Sequence, residues 1–227
     1  MDMLSNADFW IGLVKIVWIN IILSGDNAVV IALAARSLPP EQQKKAIMFG
    51  SGAAVVLRIV LTVVAAKLLE LSFLQVIGGV LLLWIGYQLL SGGDEDEGEA
   101  KGNGSMVAAI RTILIADLVM SLDNVIAVAA TAQGNMVLLI LGLAISIPLV
   151  IFGSTLMIKL MERFPVIITL GAALIGWVGG ETIVNDNLLH SYTAAHPWLH
   201  YAAAAAGAIL VVAVGKFMQA RQATSSH

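Results

Sequence analysis

From Phe9 to Ala35 the chain is apolar apart from Lys15 and one polar cluster, Asn20, Ser24, Asp26 and Asn27. A stretch of that length can cross a bilayer, which takes about 20 apolar residues. In hydrocarbon a backbone must satisfy its own N–H and C=O groups, and the form that does so within one segment is a helix. The cluster is therefore costly where it stands: an ionised Asp at mid-membrane costs about 2.5–3.5 kcal/mol on insertion scales. The same arrangement recurs at Asp117, Ser121, Asp123 and Asn124 with identical internal spacing. Two matched polar clusters in two membrane helices point to a binding site where two repeats meet.

Composition agrees with membrane residence. The 227 residues are 59% hydrophobic and 12% charged, against roughly 25% charged in soluble domains. The absence of Cys excludes disulfides, thiolate metal sites, haem attachment and thiol redox chemistry. Asp2 and Asp8, with no basic segment, precede the first apolar run, so that run is expected to be kept as a span.

Seven apolar segments can be read, at 9–35, 46–69, 73–90, 106–132, 136–158, 165–184 and 198–219. Pro148 is an expected kink in the fifth. Placing the first loop in the cytoplasm puts Arg36, Lys44, Lys45, Lys101, Arg111, Lys159, Arg163, Lys216 and Arg221 on or near that side. By the positive-inside rule the amino terminus is then outside and the carboxyl terminus inside. The third segment, with Gly78, Trp84, Gly86 and Gln88, matches the sixth, with Gly171, Trp177, Gly179 and Glu181. Three spans per repeat force the second copy to be inverted. The expected fold is an all-α polytopic membrane protein of seven transmembrane helices: two inverted three-helix repeats plus one extra C-terminal helix. Its parts are residues 1–90, an acidic Gly-rich cytoplasmic linker at 91–105, the inverted repeat at 106–184, and 185–227 with the outer loop, seventh helix and tail.

Asn20, Ser24 and Asn27 share one helix face, as do Asp117, Ser121 and Asn124; Asp26 and Asp123 stand about 100° round from it. Gly25 makes local unwinding plausible in the first motif, whereas Leu122 takes that place in the second. Facing motifs would gather carboxylates, amides and hydroxyls without His or Cys. That oxygen-only set suits Mn²⁺, Mg²⁺ or Ca²⁺ better than Zn²⁺ or Cu⁺. Two Asp would neutralise one divalent ion, and exchange of metal for protons is chemically natural. Single Asn or Ser residues of this kind are ordinary interhelical hydrogen-bonding groups; duplicated Asp-Asn pairs ask for more. Arg58 offers a counter-charge within the second span, as a structural ion pair or as a gate. Glu181, at the outer end of the sixth span, is either a way in for cations or an ordinary helix-end acid. His190, His196 and His200, in the outer loop with Asp186, fit no metal motif and read as solvated.

The motifs LSGDNAVVIA from Leu23 and MSLDNVIAVAA from Met120 resemble the signatures of the TerC family of membrane proteins. The span number, the acidic third loop and the Gly-Gly…Trp pattern extend the resemblance over nearly the whole chain. It implies membership of the lysine-exporter superfamily and outward movement of metal ions, chiefly manganese, across the bacterial cytoplasmic membrane. It also implies Asp26, Asn27, Asp123 and Asn124 as core metal ligands; Asn20, Ser24, Asp117 and Ser121 are expected around them from the facing of the two motifs. Mn²⁺ is then transported ligand and no fixed cofactor is expected. The expected partners are the bilayer, a divalent ion and, by the same resemblance, secretion machinery or exported metalloenzymes; a homo-oligomer is compatible and nucleic acid is not expected. An intramembrane aspartyl protease would need Gly-x-Gly-Asp, which neither motif supplies, so no enzyme is expected. An exporter of amino acids or other organic cations is the nearer rival, and a membrane partner that hands metal to secreted enzymes is the third reading.

Overall fold

The computed structural model describes residues 7–23, 25–68, 71, 73–91, 105–132 and 135–225. Among them every regular element is a helix: α1 Ala7–Leu23, α2 Gly25–Ala35, α3 Pro40–Leu68, α4 Leu74–Ser91, α5 Met106–Ala132, α6 Met136–Arg163, α7 Val166–Val184, α8 His190–Ala195 and α9 Trp198–Ser225. Helices α3, α4, α6, α7 and α9 are long and apolar enough to cross a membrane, and α1 and α2 contain shorter apolar stretches. The expected first span is thus two helices, one on either side of Ser24, which lies outside the described residues. The second motif lies within the unbroken α5. Most of the acidic linker (92–104) and the turn at 133–134 also fall outside the described residues.

The helix ends follow from local chemistry. Pro40 is the first residue of α3, and Pro165 stands just before α7; proline suits a helix start because the first N–H needs no partner there. Asn135 caps α6, its Oδ1 accepting from the Leu138 N–H at 3.1 Å. Pro148 sits inside α6, which continues through it to Arg163. The polar loop expected before the last span contains the short α8.

Packing runs through two groups of helices. In one, α7 lies between α4 and α9, and small residues allow the backbones to approach: a Cβ on Gly79 would meet the Gly179 carbonyl at 2.5 Å, and one on Gly176 the Gly207 carbonyl at 2.5 Å. Without a hydrophobic drive between helices in lipid, such close van der Waals contact is a main source of cohesion. In the other group α3 packs on α5, and α6 on α1 and α2. Ile113 of α5 seats over Gly50 of α3, and Ile16 of α1 seats over Gly142 of α6. Both isoleucines are fully buried.

A carboxylate joins the turn before α4 to the chain after α7. Asp186 accepts from the N–H groups of Phe73 (3.2 Å), Gln75 (3.1 Å), Val76 (3.3 Å) and Leu188 (3.0 Å). It caps the N-terminus of α4 and holds Phe73 in a left-handed turn, φ 69°. Burial pushes its carboxyl up, but the four backbone N–H groups together hold it below the usual carboxylate value.

Candidate ion site at the crossing of α2, α3, α5 and α6

Four helices meet around a cavity of about 20 Å³, room for one water-sized body. Its polar lining is Asn27 of α2, Ser51 and Arg58 of α3, Asp117 of α5 and Ser146 of α6. All five are buried. The α3 and α6 walls of the cavity follow one positional rule. From Gly50, α3 presents the residues one, four, five and eight positions on: Ser51, Ala54, Val55 and Arg58. From Gly142, α6 presents the same four positions: Leu143, Ser146, Ile147 and Val150.

The charged part is a closed triangle. Arg58 Nη2 donates to Asp117 Oδ1 at 2.5 Å, and Arg58 Nε donates to Ser121 Oγ at 2.9 Å. Ser121 Oγ in turn donates to Asp117 Oδ2 at 3.2 Å. Asp117 and Ser121 lie one turn apart on α5, which is what lets both face one guanidinium. Each group of the triangle is 7% exposed or less, and a buried ion pair survives desolvation only with such additional hydrogen bonds. Asp26, at the first turn of α2, is close enough to feel the charges of Arg58 and Asp117. Its Oδ1 accepts from the Asn27 N–H at 2.8 Å.

Of the expected site residues, Asn27 and Asp117 therefore reach one cavity, Ser121 braces its ion pair, and Asp26 stands within electrostatic range. Asn124 is half-buried on α5 and does not line the cavity. Ser24 and the side chains of Asn20 and Asp123 lie outside the described residues. Among the described residues no three His, Cys, Asp or Glu side chains are gathered tightly enough to hold a metal by themselves. Glu181 is half-buried in the last turn of α7, away from the cavity lining. His196 is exposed, as expected of a solvated loop histidine, with Nδ1 3.3 Å from the Tyr192 carbonyl.

Sequence reasoning missed Ser51, Ser146 and the cap made by Asp186. The serines carry no motif; their only signal is a hydroxyl one position after Gly50 and another one turn after Gly142 in otherwise apolar segments. Asp186 sits in an Asn-Asp-Asn run whose side chains are suited to capping.

Long apolar helices around a desolvated polar centre define an integral, multi-pass membrane protein. The chain belongs to the TerC integral membrane protein family, whose model matches residues 5–223. It is 48% identical to the membrane protein YjbE of Bacillus subtilis (strain 168) over 189 residues, 83% of this chain and 86% of that one. It is 27% identical over 215 residues to the membrane protein YkoY of the same organism, covering 81% of this chain and 66% of that one. It is 26% identical over 209 residues to the inner membrane protein YoaE of Escherichia coli (strain K12), where the match spans 84% of this chain but 40% of the relative. No solved structure matches it.

Proposed function

We propose that the protein exports a divalent cation, Mn²⁺ first among candidates, across the cytoplasmic membrane through the crossing of α2, α3, α5 and α6. The observation that carries this reading is the buried polar centre itself. Asn27, Ser51, Arg58, Asp117 and Ser146 surround a cavity in an otherwise apolar bundle, with Asp26 beside them. Ionisable groups inside a membrane bundle are costly, and they characteristically pair with one another and line substrate or ion pathways. The donors are oxygens, which favours Mn²⁺, Mg²⁺ or Ca²⁺. Membership of the TerC family supports transport and leaves the ion to be tested. A cavity that takes one water-sized body counts against amino acids or other organic cations.

Transport of this kind is well served by two inverted repeats, and several contacts favour that arrangement here. Ile16 stands ten residues before Asp26 and Ile113 ten before Asp123. Each seats over a glycine of the other half, Gly142 and Gly50 respectively. The cavity walls of α3 and α6 use the same four positions counted from those glycines. Helix neighbours exchange in the same way: α3 on α5 corresponds to α6 on α1 and α2, and α4 packs on its own counterpart α7. A pseudo-two-fold axis in the membrane plane would pass through the cavity, as substrate sites in such transporters do.

The test is Mn²⁺ flux in proteoliposomes for the wild type, Asp26→Asn and Asp123→Asn, with Mg²⁺ and Ca²⁺ as competitors. Loss of flux in both variants, each still monodisperse, is the expected result. Unchanged flux in either variant, or none in the wild type, overturns the two-Asp site.

A further inference from the structure

The two walls of the cavity match in position and differ in charge. Arg58, eight residues after Gly50, stands where α6 has Val150, eight after Gly142. Asp117, six residues before Asp123, stands where α1 has Asn20, six before Asp26. The facing pair α3 and α5, one helix from each repeat, carries both the cation and the anion, and the equivalent positions on α6 and α1 carry neither. Between α3 and α5 the two charges are bonded to each other: one Asp117 oxygen takes the guanidinium and the other takes Ser121, which itself accepts from Arg58. Both oxygens of Asp117 are thus hydrogen-bonded and its charge is paired, so a passing cation would have to compete with the guanidinium for it.

We propose, resting on the transport reading above, that Asp117 is the dedicated counter-ion of Arg58 and not a ligand of the transported ion. Arg58 and Asp117 then contribute no net charge, and Asp26 and Asp123 alone set the site at two negative charges, the balance for one divalent cation. Asp117 and Ser121 are positioning residues: they hold the guanidinium away from Asp26, which lies within reach of its charge. Without them the guanidinium would compete with the metal for Asp26, since a cation binds poorly where a like charge is already seated.

The prediction is a rescue. Mn²⁺ binding in detergent and flux in proteoliposomes are measured for the wild type, Asp117→Asn, Arg58→Val and Arg58→Val/Asp117→Asn. Asp117→Asn leaves the guanidinium unopposed and is expected to weaken Mn²⁺ binding by about tenfold or more. Arg58→Val leaves a third negative charge, so binding is retained and release slows. The double variant reproduces the neutral residues at the equivalent positions, Val150 of α6 and Asn20 of α1, and is expected to fold and to bind Mn²⁺ within about threefold of the wild type, less than 1 kcal/mol. A folded double variant that binds Mn²⁺ about tenfold or more weakly than the wild type overturns the proposal and makes Asp117 a ligand, and one that fails to fold overturns it by making the charged pair a requirement of the fold. The double variant decides this even where a single variant does not fold. A wild type without Mn²⁺ flux defeats the transport reading instead, so the two failures are distinct.

Discussion

Arg58, Asp117 and Ser121 illustrate how a single turn of helix sets the chemistry of the centre. Removing one member of a buried pair strands the other, at a cost of about 3–5 kcal/mol. Arg58→Leu should therefore lower the thermal unfolding midpoint in detergent sharply. Ser51 is different: its hydroxyl is buried and has no hydrogen-bond partner among the described residues. Ser51→Ala removes no internal hydrogen bond and relieves a desolvated hydroxyl worth about 1–3 kcal/mol. Its unfolding midpoint should hold or rise, while flux through the cavity it lines falls; a lowered midpoint would contradict the geometry. Asp186 supplies the pH dependence. Its carboxyl is held below the ordinary value of 3.8 by the N–H groups it accepts from, so its contribution is fully present above that value. It is lost as pH falls through the lower, folded-state value. Asp186→Ala should cost about 0.5–2 kcal/mol at neutral pH, as loss of a cap does, and should flatten the acid limb of an unfolding-midpoint-versus-pH curve.

At the scale of helices, cohesion depends on where a Cβ is absent. On Gly180 of α7 a Cβ would run into the Ala203 carbonyl of α9, and on Gly176 into that of Gly207. Gly180→Ala has no flexible neighbour to push aside and should destabilise by about 1–3 kcal/mol, the usual cost of overpacking. Gly52→Ala is the control, because nothing lies within 4 Å of its added Cβ. It should be neutral or stabilise by roughly 0.5–1 kcal/mol through helix propensity. Thermal unfolding of both variants in the same detergent checks the contrast. The helices themselves were legible in the sequence, since long apolar runs punctuated by prolines admit little else. The parting of α1 from α2 around the first motif was only hinted at by Gly25, and α8 not at all, because a six-residue segment, four of whose residues are polar or part-polar, carries no apolar period.

For the whole molecule, the distribution of basic residues sets which ends are expected to face which side. The absence of Cys makes this directly measurable. With a membrane-impermeant maleimide, Asn187→Cys should label in intact cells, and Ser37→Cys only after permeabilisation; the reverse pattern would invert the topology. Both positions are exposed, so the difference reports side and not burial. The sequence by itself determined that the chain lives in a membrane as helices, and it singled out the motif residues Asn27, Asp117 and Ser121 that the structure brings to the polar centre. Those conclusions follow from solvation costs, which belong to each residue wherever its neighbours are. Tertiary structure alone decided that Asp117 is bound to Arg58, that Ser51 and Ser146 reach the same cavity, and that Asp186 caps α4. Each of these depends on which helix faces which, and at the helix crossings that is set by complementary shape, Ile16 over Gly142 and Ile113 over Gly50. In an interior where every helix is apolar all round, no periodicity in the sequence records such pairing.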